Sequence, residues 1–135
     1  MSHKPTILFV CPHNANRSQI AAGYAQHLSQ GGVKVMSAGP SPAERLNPVA
    51  VEAMAEEGID ISHLKPALLT DDTIAGADVV ITLGCADAVP KSAGKRFEDW
   101  TLTDPASRDL DSLRALRNEI KARVEALLAS VDSGG

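Results

Sequence analysis

Four consecutive apolar residues, Ile7-Leu8-Phe9-Val10, run directly into Cys11-Pro12-His13-Asn14-Ala15-Asn16-Arg17-Ser18, after which the hydrophobic pattern takes a helical period. A continuous apolar run belongs to a strand buried on both faces, and such strands sit in parallel sheets covered by helices. From Arg17 onward Ile20, Ala21, Tyr24, Ala25 and Leu28 share one helical face, and Gly31-Gly32 stop the helix. A second strand is expected over 33–37, closed by Gly39-Pro40. Asn47-Pro48 reads as an N-cap with proline in the first helical position. The helix it opens turns Val51, Met54 and Ala55 inward and ends at Gly58. Ile59 to Lys65 reads as a connecting loop, and a short helix starts near Thr70-Asp71-Asp72. The run 78–83 is a third, continuous apolar strand, and a weaker fourth lies over 96–98. The last helix carries Leu113, Leu116, Ile120, Val124, Leu127 and Leu128 at helical spacing, with Asp109 or Asp111 at its start and a frayed tail from Asp132. Strands alternating with helical segments define an α/β protein with a parallel sheet.

At 135 residues the chain suits one domain, with no internal repeat or linker. Aromatic residues make up 3%, so the core must be built from Val, Ile, Leu, Ala and Met. A net charge of −4 argues against nucleic acid as a partner, because phosphate backbones select basic faces. The only apolar run near the amino terminus is four residues long, which matches neither a signal peptide nor a membrane span. Two cysteines, Cys11 and Cys85, are too few for a disulfide scaffold or a four-cysteine zinc site. The expected setting is a cytoplasmic, reducing compartment in which free thiols do chemistry.

The stretch from Cys11 to Ser18 lies between strand and helix, where open parallel sheets bind their ligands. A helix amino terminus there offers unpaired N–H groups and a positive dipole end, a ready cradle for a tetrahedral anion. A thiol in that position is drawn towards thiolate, Arg17 adds a bidentate donor for oxyanion oxygens, and Ser18 can donate to the sulfur. The bland alternative for Cys11 is a packed strand-end cysteine. Asn14 and Asn16 tolerate left-handed backbone, so they serve either as turn formers or as substrate contacts. His13 is either an anion donor or an exposed loop histidine.

Cys-x5-Arg-Ser after the first strand, with Asp104-Pro105 downstream, resembles the low-molecular-weight tyrosine phosphatase family and the arsenate reductases that share its fold. Ser37-Ala38-Gly39, Asn47-Pro48 before a Glu-Ala-Met helix, and Gly58-Ile59-Asp60-Ile61-Ser62 extend the likeness over most of the chain. Glu98-Asp99-Trp100 ahead of Asp104-Pro105 is similar to the arsenate reductase branch, in particular to mycothiol-dependent actinobacterial members. The resemblance implies a flavodoxin-like fold, with a four-stranded parallel sheet in the order 2-1-3-4 and helices on both faces. It implies one domain over residues 1–135, with an ordered core of about 5–131. It also implies Cys11 as nucleophile, the 12–17 loop (Pro12, His13, Asn14, Ala15, Asn16, Arg17) as anion holder, and Asp104 as the acid that protonates the leaving oxygen. The alternative for Asp104-Pro105 is a turn.

Phosphatases of this type carry an aromatic residue after the Asp-Pro pair, and here that residue is Ala106. A bare oxyanion therefore suits the pocket better than a phosphorylated ring. Cys85 follows the third strand, where related arsenate reductases carry relay cysteines. Similar actinobacterial segments read Gly-Cys-Gly-Asp-x-Cys-Pro; Cys85 matches the first cysteine and Val89 stands in place of the second. Without a third cysteine the three-cysteine shuttle is closed. Either a low-molecular-weight thiol such as mycothiol or glutathione resolves the Cys11 adduct, or Cys85 does so and an external thiol system reopens the disulfide. Cys85 as a packed thiol is the alternative. At a cation site known in some thioredoxin-coupled reductases this chain has Ala22 and Ala67, which leaves Asn14 and Ser37, so no bound metal is expected.

Three functions follow from these residues. The first is thiol-dependent reduction of arsenate, with phosphate or sulfate as substrate mimics and mycothiol/mycoredoxin, glutathione/glutaredoxin or thioredoxin as external reductant. The second is a phosphatase working through a phosphocysteine. The third is an oxyanion-binding or redox-sensing module without turnover. The expected state is a cytoplasmic monomer with no bound cofactor and no membrane partner.

Overall fold

A computed structural model of the chain describes residues 5–14, 16–83, 96–100, 102 and 109–133. Four strands, β1 (Thr6–Val10), β2 (Lys34–Ala38), β3 (Val79–Thr82) and β4 (Arg96–Asp99), form one parallel sheet in the order β2-β1-β3-β4. The expected topology is the observed one. Every residue of β1 is buried, as its unbroken apolar run requires. Val10 pairs with Ala38 on one side and Thr82 on the other, so β1, β2 and β3 finish level. Cys11, Gly39 and Leu83 consequently emerge together at the carboxyl end of the sheet.

Alternation along β1 divides the core between two faces. Ile7 and Phe9 join Ile81 under three helices, α1 (Arg17–Ser29), α2 (Pro48–Ala55) and α4 (Leu110–Ser133). Leu8 and Val10 join Val80 and Ala77 on the opposite face, against Ile74 of the short α3 (Asp71–Ala75). Each fully buried Leu, Ile or Phe contributes roughly 1.5–3 kcal/mol. Aliphatic side chains do most of this work; the main aromatic contact sets Phe9 against Trp100, ring centroids 5.9 Å apart. No helix among the described residues is long and apolar enough to cross a membrane.

The caps follow the sequence. Asn47 Oδ1 accepts from the Val49 N–H at 3.0 Å with Pro48 in the first turn, Thr70 Oγ1 accepts from the Thr73 N–H, and Asp109 Oδ1 accepts from the Ser112 N–H at 2.9 Å. Several expectations need correction. The third strand spans Val79–Thr82 and not 78–83, and the fourth runs on to Asp99, because their ladder runs from the Val79–Arg96 pair to the Thr82–Asp99 pair. The second strand begins at Lys34 and not Val33, because the ladder with β1 opens on the Thr6–Lys34 pair. α2 buries Ala50, Ala53 and Met54, while Val51 is half-buried and Ala55 exposed. That helix is apolar nearly all round, so its pattern marks no inward face. The last helix continues to Ser133, past the expected fraying point.

Charged side chains join the carboxyl end of α2 to α4. Arg114 holds Glu56 through Nε and Nη2, and Arg117 donates from Nη1 both to Glu56 and to the Ala53 carbonyl, one of the last acceptors of α2. These two guanidinium groups, Arg114 before Arg117, lower the Glu56 carboxyl from its ordinary 4.5 to about 2. From α1, the Tyr24 hydroxyl donates to Glu57 at 3.0 Å.

Candidate active site

Cys11 is the first residue after β1 and is 3% exposed. Its N–H still reaches the Ala38 carbonyl at 3.3 Å, so the start of the loop is held by β2. The chain then turns back through Asn14, whose φ of 51° is in the left-handed region that asparagine tolerates better than most residues. Asn16, the other candidate for that conformation, has φ −139° and stands at the N-cap of α1 without a side-chain cap. The loop's outer rim is tied to the segment after β2, where Ser41 N–H donates to Pro12 O and Ala43 N–H to His13 O. Gly39 makes this packing possible. A Cβ on it would stand 2.5 Å from the Cys11 carbonyl oxygen and 3.0 Å from the Asn14 nitrogen.

Two donors meet the sulfur. Ser18 Oγ lies 2.9 Å from Cys11 Sγ, and the Ser18 N–H points at the same sulfur at 3.4 Å. Asn14 Nδ2 donates to Ser18 Oγ at 2.7 Å, which leaves the single hydroxyl proton of Ser18 for the sulfur. Hydrogen bonds of this kind at the first turn of a helix stabilise electron density on sulfur.

Arg17 is half-buried in that first turn, and its Nη1 donates to the Leu83 carbonyl at 3.4 Å. It therefore joins the loop to the end of β3, where the Leu83 N–H binds Val10 O at 2.7 Å. Pro12 is half-buried and His13 exposed, with His13 Nδ1 3.0 Å from the Ser41 carbonyl. Thus Cys11, Pro12, Asn14, Asn16, Arg17 and Ser18 are brought together, and His13 stands at the rim. Ala15, Cys85, Asp104 and Ala106 lie outside the described residues.

Gln19, which neither the loop motif nor the helical period singles out, is fully buried beneath the loop. Its Nε2 donates to Asn14 O, Asn14 Oδ1 and Lys65 O at 3.0, 3.1 and 3.3 Å, and its Oε1 accepts from Ser37 Oγ at 3.1 Å. The Ala67 N–H adds a second bond to Asn14 Oδ1 at 2.8 Å. Asn14 and Ser37, the two polar residues left at the cation position considered above, are thus both bonded to Gln19. The one mark of Gln19 in the sequence is its place directly before Ile20, the first apolar residue of the helix.

A family model described as low molecular weight phosphotyrosine protein phosphatase matches residues 6–134. Arsenate reductase 1 of Staphylococcus epidermidis is 40% identical over 128 residues, covering 90% of this chain and 94% of the relative. The glutaredoxin arsenate reductase of Synechocystis sp. is 38% identical, covering 93% and 97%. Among solved structures, the thioredoxin-dependent arsenate reductase of Corynebacterium glutamicum superposes with a TM-score of 0.89 at 38% identity, over 99% of this chain and 65% of that one. With a strand-to-helix thiol loop on a 2-1-3-4 parallel sheet, the chain belongs to the low-molecular-weight phosphotyrosine protein phosphatase family, beside its arsenate reductases.

Proposed function

We propose that this protein reduces arsenate to arsenite at Cys11 at the expense of thiols, in arsenic detoxification. The observation that carries it is the Cys11 sulfur held by the Ser18 hydroxyl and N–H, one residue from the Arg17 guanidinium. The thiolate of Cys11 attacks arsenic and a water leaves, taking its proton from Asp104, so an S–As bond replaces an As–O bond. The loop amides and Arg17 hold the remaining oxygens, whose negative charge suits a helix amino terminus. A second thiolate then attacks Cys11 Sγ. The S–As bond breaks, its electron pair leaves with arsenic as arsenite, and two thiols become one disulfide.

The second thiol is mycothiol, glutathione or another small thiol, or else Cys85, with a redoxin reopening the disulfide. The likeness to arsenate reductases over nine-tenths of the chain supports this chemistry, and Ala106 after the Asp-Pro pair supports a bare oxyanion over an aromatic phosphoester. The relatives' names include both a glutaredoxin and a thioredoxin system, so the external reductant is the finer point to test. A second reading, phosphatase action through a phosphocysteine, is favoured by the description of the matching family model. On the first reading the protein is a cytoplasmic monomer of one domain that needs no bound cofactor.

Arsenate turnover by the purified protein, supplied separately with mycothiol/mycoredoxin, glutathione/glutaredoxin and thioredoxin, tests the proposal. Cys11→Ser abolishes turnover with every donor. Full activity of Cys85→Ser with mycothiol assigns resolution to the small thiol, whereas its loss assigns it to Cys85. No arsenate turnover with any donor, beside brisk aryl phosphate hydrolysis, establishes the phosphatase instead.

A further inference from the structure

We propose that Gln19 is a positioning residue that holds the oxyanion loop in its binding shape through Asn14. The inference rests on the anion-site reading of the Cys11 loop given above.

The orientations of both amides follow from their partners. The Ala67 N–H can face only an acceptor, so Asn14 Oδ1 points towards it and Asn14 Nδ2 towards Ser18. Gln19 then faces Asn14 Oδ1 and two carbonyl oxygens, which requires its NH2 group on that side. Its Oε1 is turned to the Ser37 hydroxyl. Two amide hydrogens thus serve three oxygens, and one side chain gathers the loop, β2 and the Lys65 segment.

Asn14 is where this matters. An asparagine at φ 51° gives up local backbone energy, and its turn directs the loop from the end of β1 back towards α1. Gln19 supplies a bond to its carbonyl oxygen and another to its side-chain oxygen. With Oδ1 pinned, Nδ2 is aimed at Ser18 Oγ, and the Ser18 proton at Cys11 Sγ. The chain Gln19–Asn14–Ser18–Cys11 therefore runs from the buried floor to the nucleophile without Gln19 touching substrate. A glutamine that merely filled space would need no such set of partners; a methionine would fill the same space and make none of the bonds.

Three variants separate these roles, read by how well inorganic phosphate protects Cys11 from iodoacetamide, scored by mass spectrometry of the Cys11 peptide. Gln19→Met keeps the volume and removes the donors, and its apparent phosphate affinity falls about tenfold to a hundredfold. Gln19→Glu sets a carboxylate oxygen against three acceptors. Its deficit relative to wild type at the same pH is large at about pH 8 and shrinks towards about pH 5.5, as the carboxyl takes up a proton and regains one donor. The Gln19→Met deficit stays flat over that range. Ser37→Ala removes only the bond to Oε1, so it keeps a folded protein for comparison if Gln19→Met does not fold, and it weakens phosphate binding by about twofold to fivefold. Phosphate affinity within about twofold of wild type in both Gln19 variants, or a Gln19→Glu deficit that ignores pH, overturns the positioning role. Wild-type Cys11 left unprotected by phosphate overturns the anion-site reading itself.

Discussion

Gly39 has room for a hydrogen and nothing larger. Its position against the Cys11 and Pro12 carbonyl oxygens means that a methyl group there must push the loop off β2. Gly39→Ala is expected to cost roughly 1–3 kcal/mol of stability, as overpacking a closed site does. It is also expected to lower arsenate turnover by more than the stability loss explains, because the displaced loop carries Cys11, the proposed nucleophile. Thermal unfolding and turnover measured on one preparation check both effects. The Cys-x5-Arg-Ser spacing made Cys11, Arg17 and Ser18 visible at this scale. Gln19 and Gly39 were harder to see, since a buried amide and a close backbone approach leave no periodic trace.

At the scale of elements, boundaries and caps were largely legible. Asn47-Pro48, Thr70 and Asp109 begin helices where their side chains can take up free N–H groups. The inward face of α2 was not legible, because Val, Ala and Met surround that helix and only its seat against α1 and α4 selects Ala50, Ala53 and Met54. Glu56 shows how two elements are joined. The folded chain keeps this carboxylate charged down to about 2, while the unfolded chain protonates it near 4.5. As pH falls through that window the unfolded state takes up the proton first. The contribution is therefore full above about pH 4.5 and lost on approach to pH 2. In urea titrations across this range, wild type is expected to lose more stability on acidification than Glu56→Gln, and the difference between the two narrows as pH falls.

On the scale of the whole molecule, one sheet ties the two faces of the core together. Trp100, the only tryptophan, follows the edge strand β4 yet packs on Phe9 of the central strand. Its backbone N–H donates to the Thr82 carbonyl at 2.8 Å and its indole N–H to Glu98 Oε1 at 3.0 Å, so it senses β1, β3 and β4 together. Its fluorescence is expected to change in one transition that coincides with the loss of helical circular dichroism in urea. Two separated midpoints would show that the edge of the sheet unfolds by itself.

Sequence alone determined the class of fold and singled out the Cys11 loop, because a continuous apolar strand, a switch to helical period and a thiol-arginine spacing are local and periodic signals. The strand order came with the family resemblance, since pairing is a contact between distant segments and writes no period into the chain. Only the tertiary structure decided what holds the loop. Gly39 and Ala67 reach it directly, and Ser37 and Lys65 reach it through Gln19, from two separate stretches of chain. Hydrogen bonds depend on distance and direction in space, and those exist only once β2 has been laid beside β1.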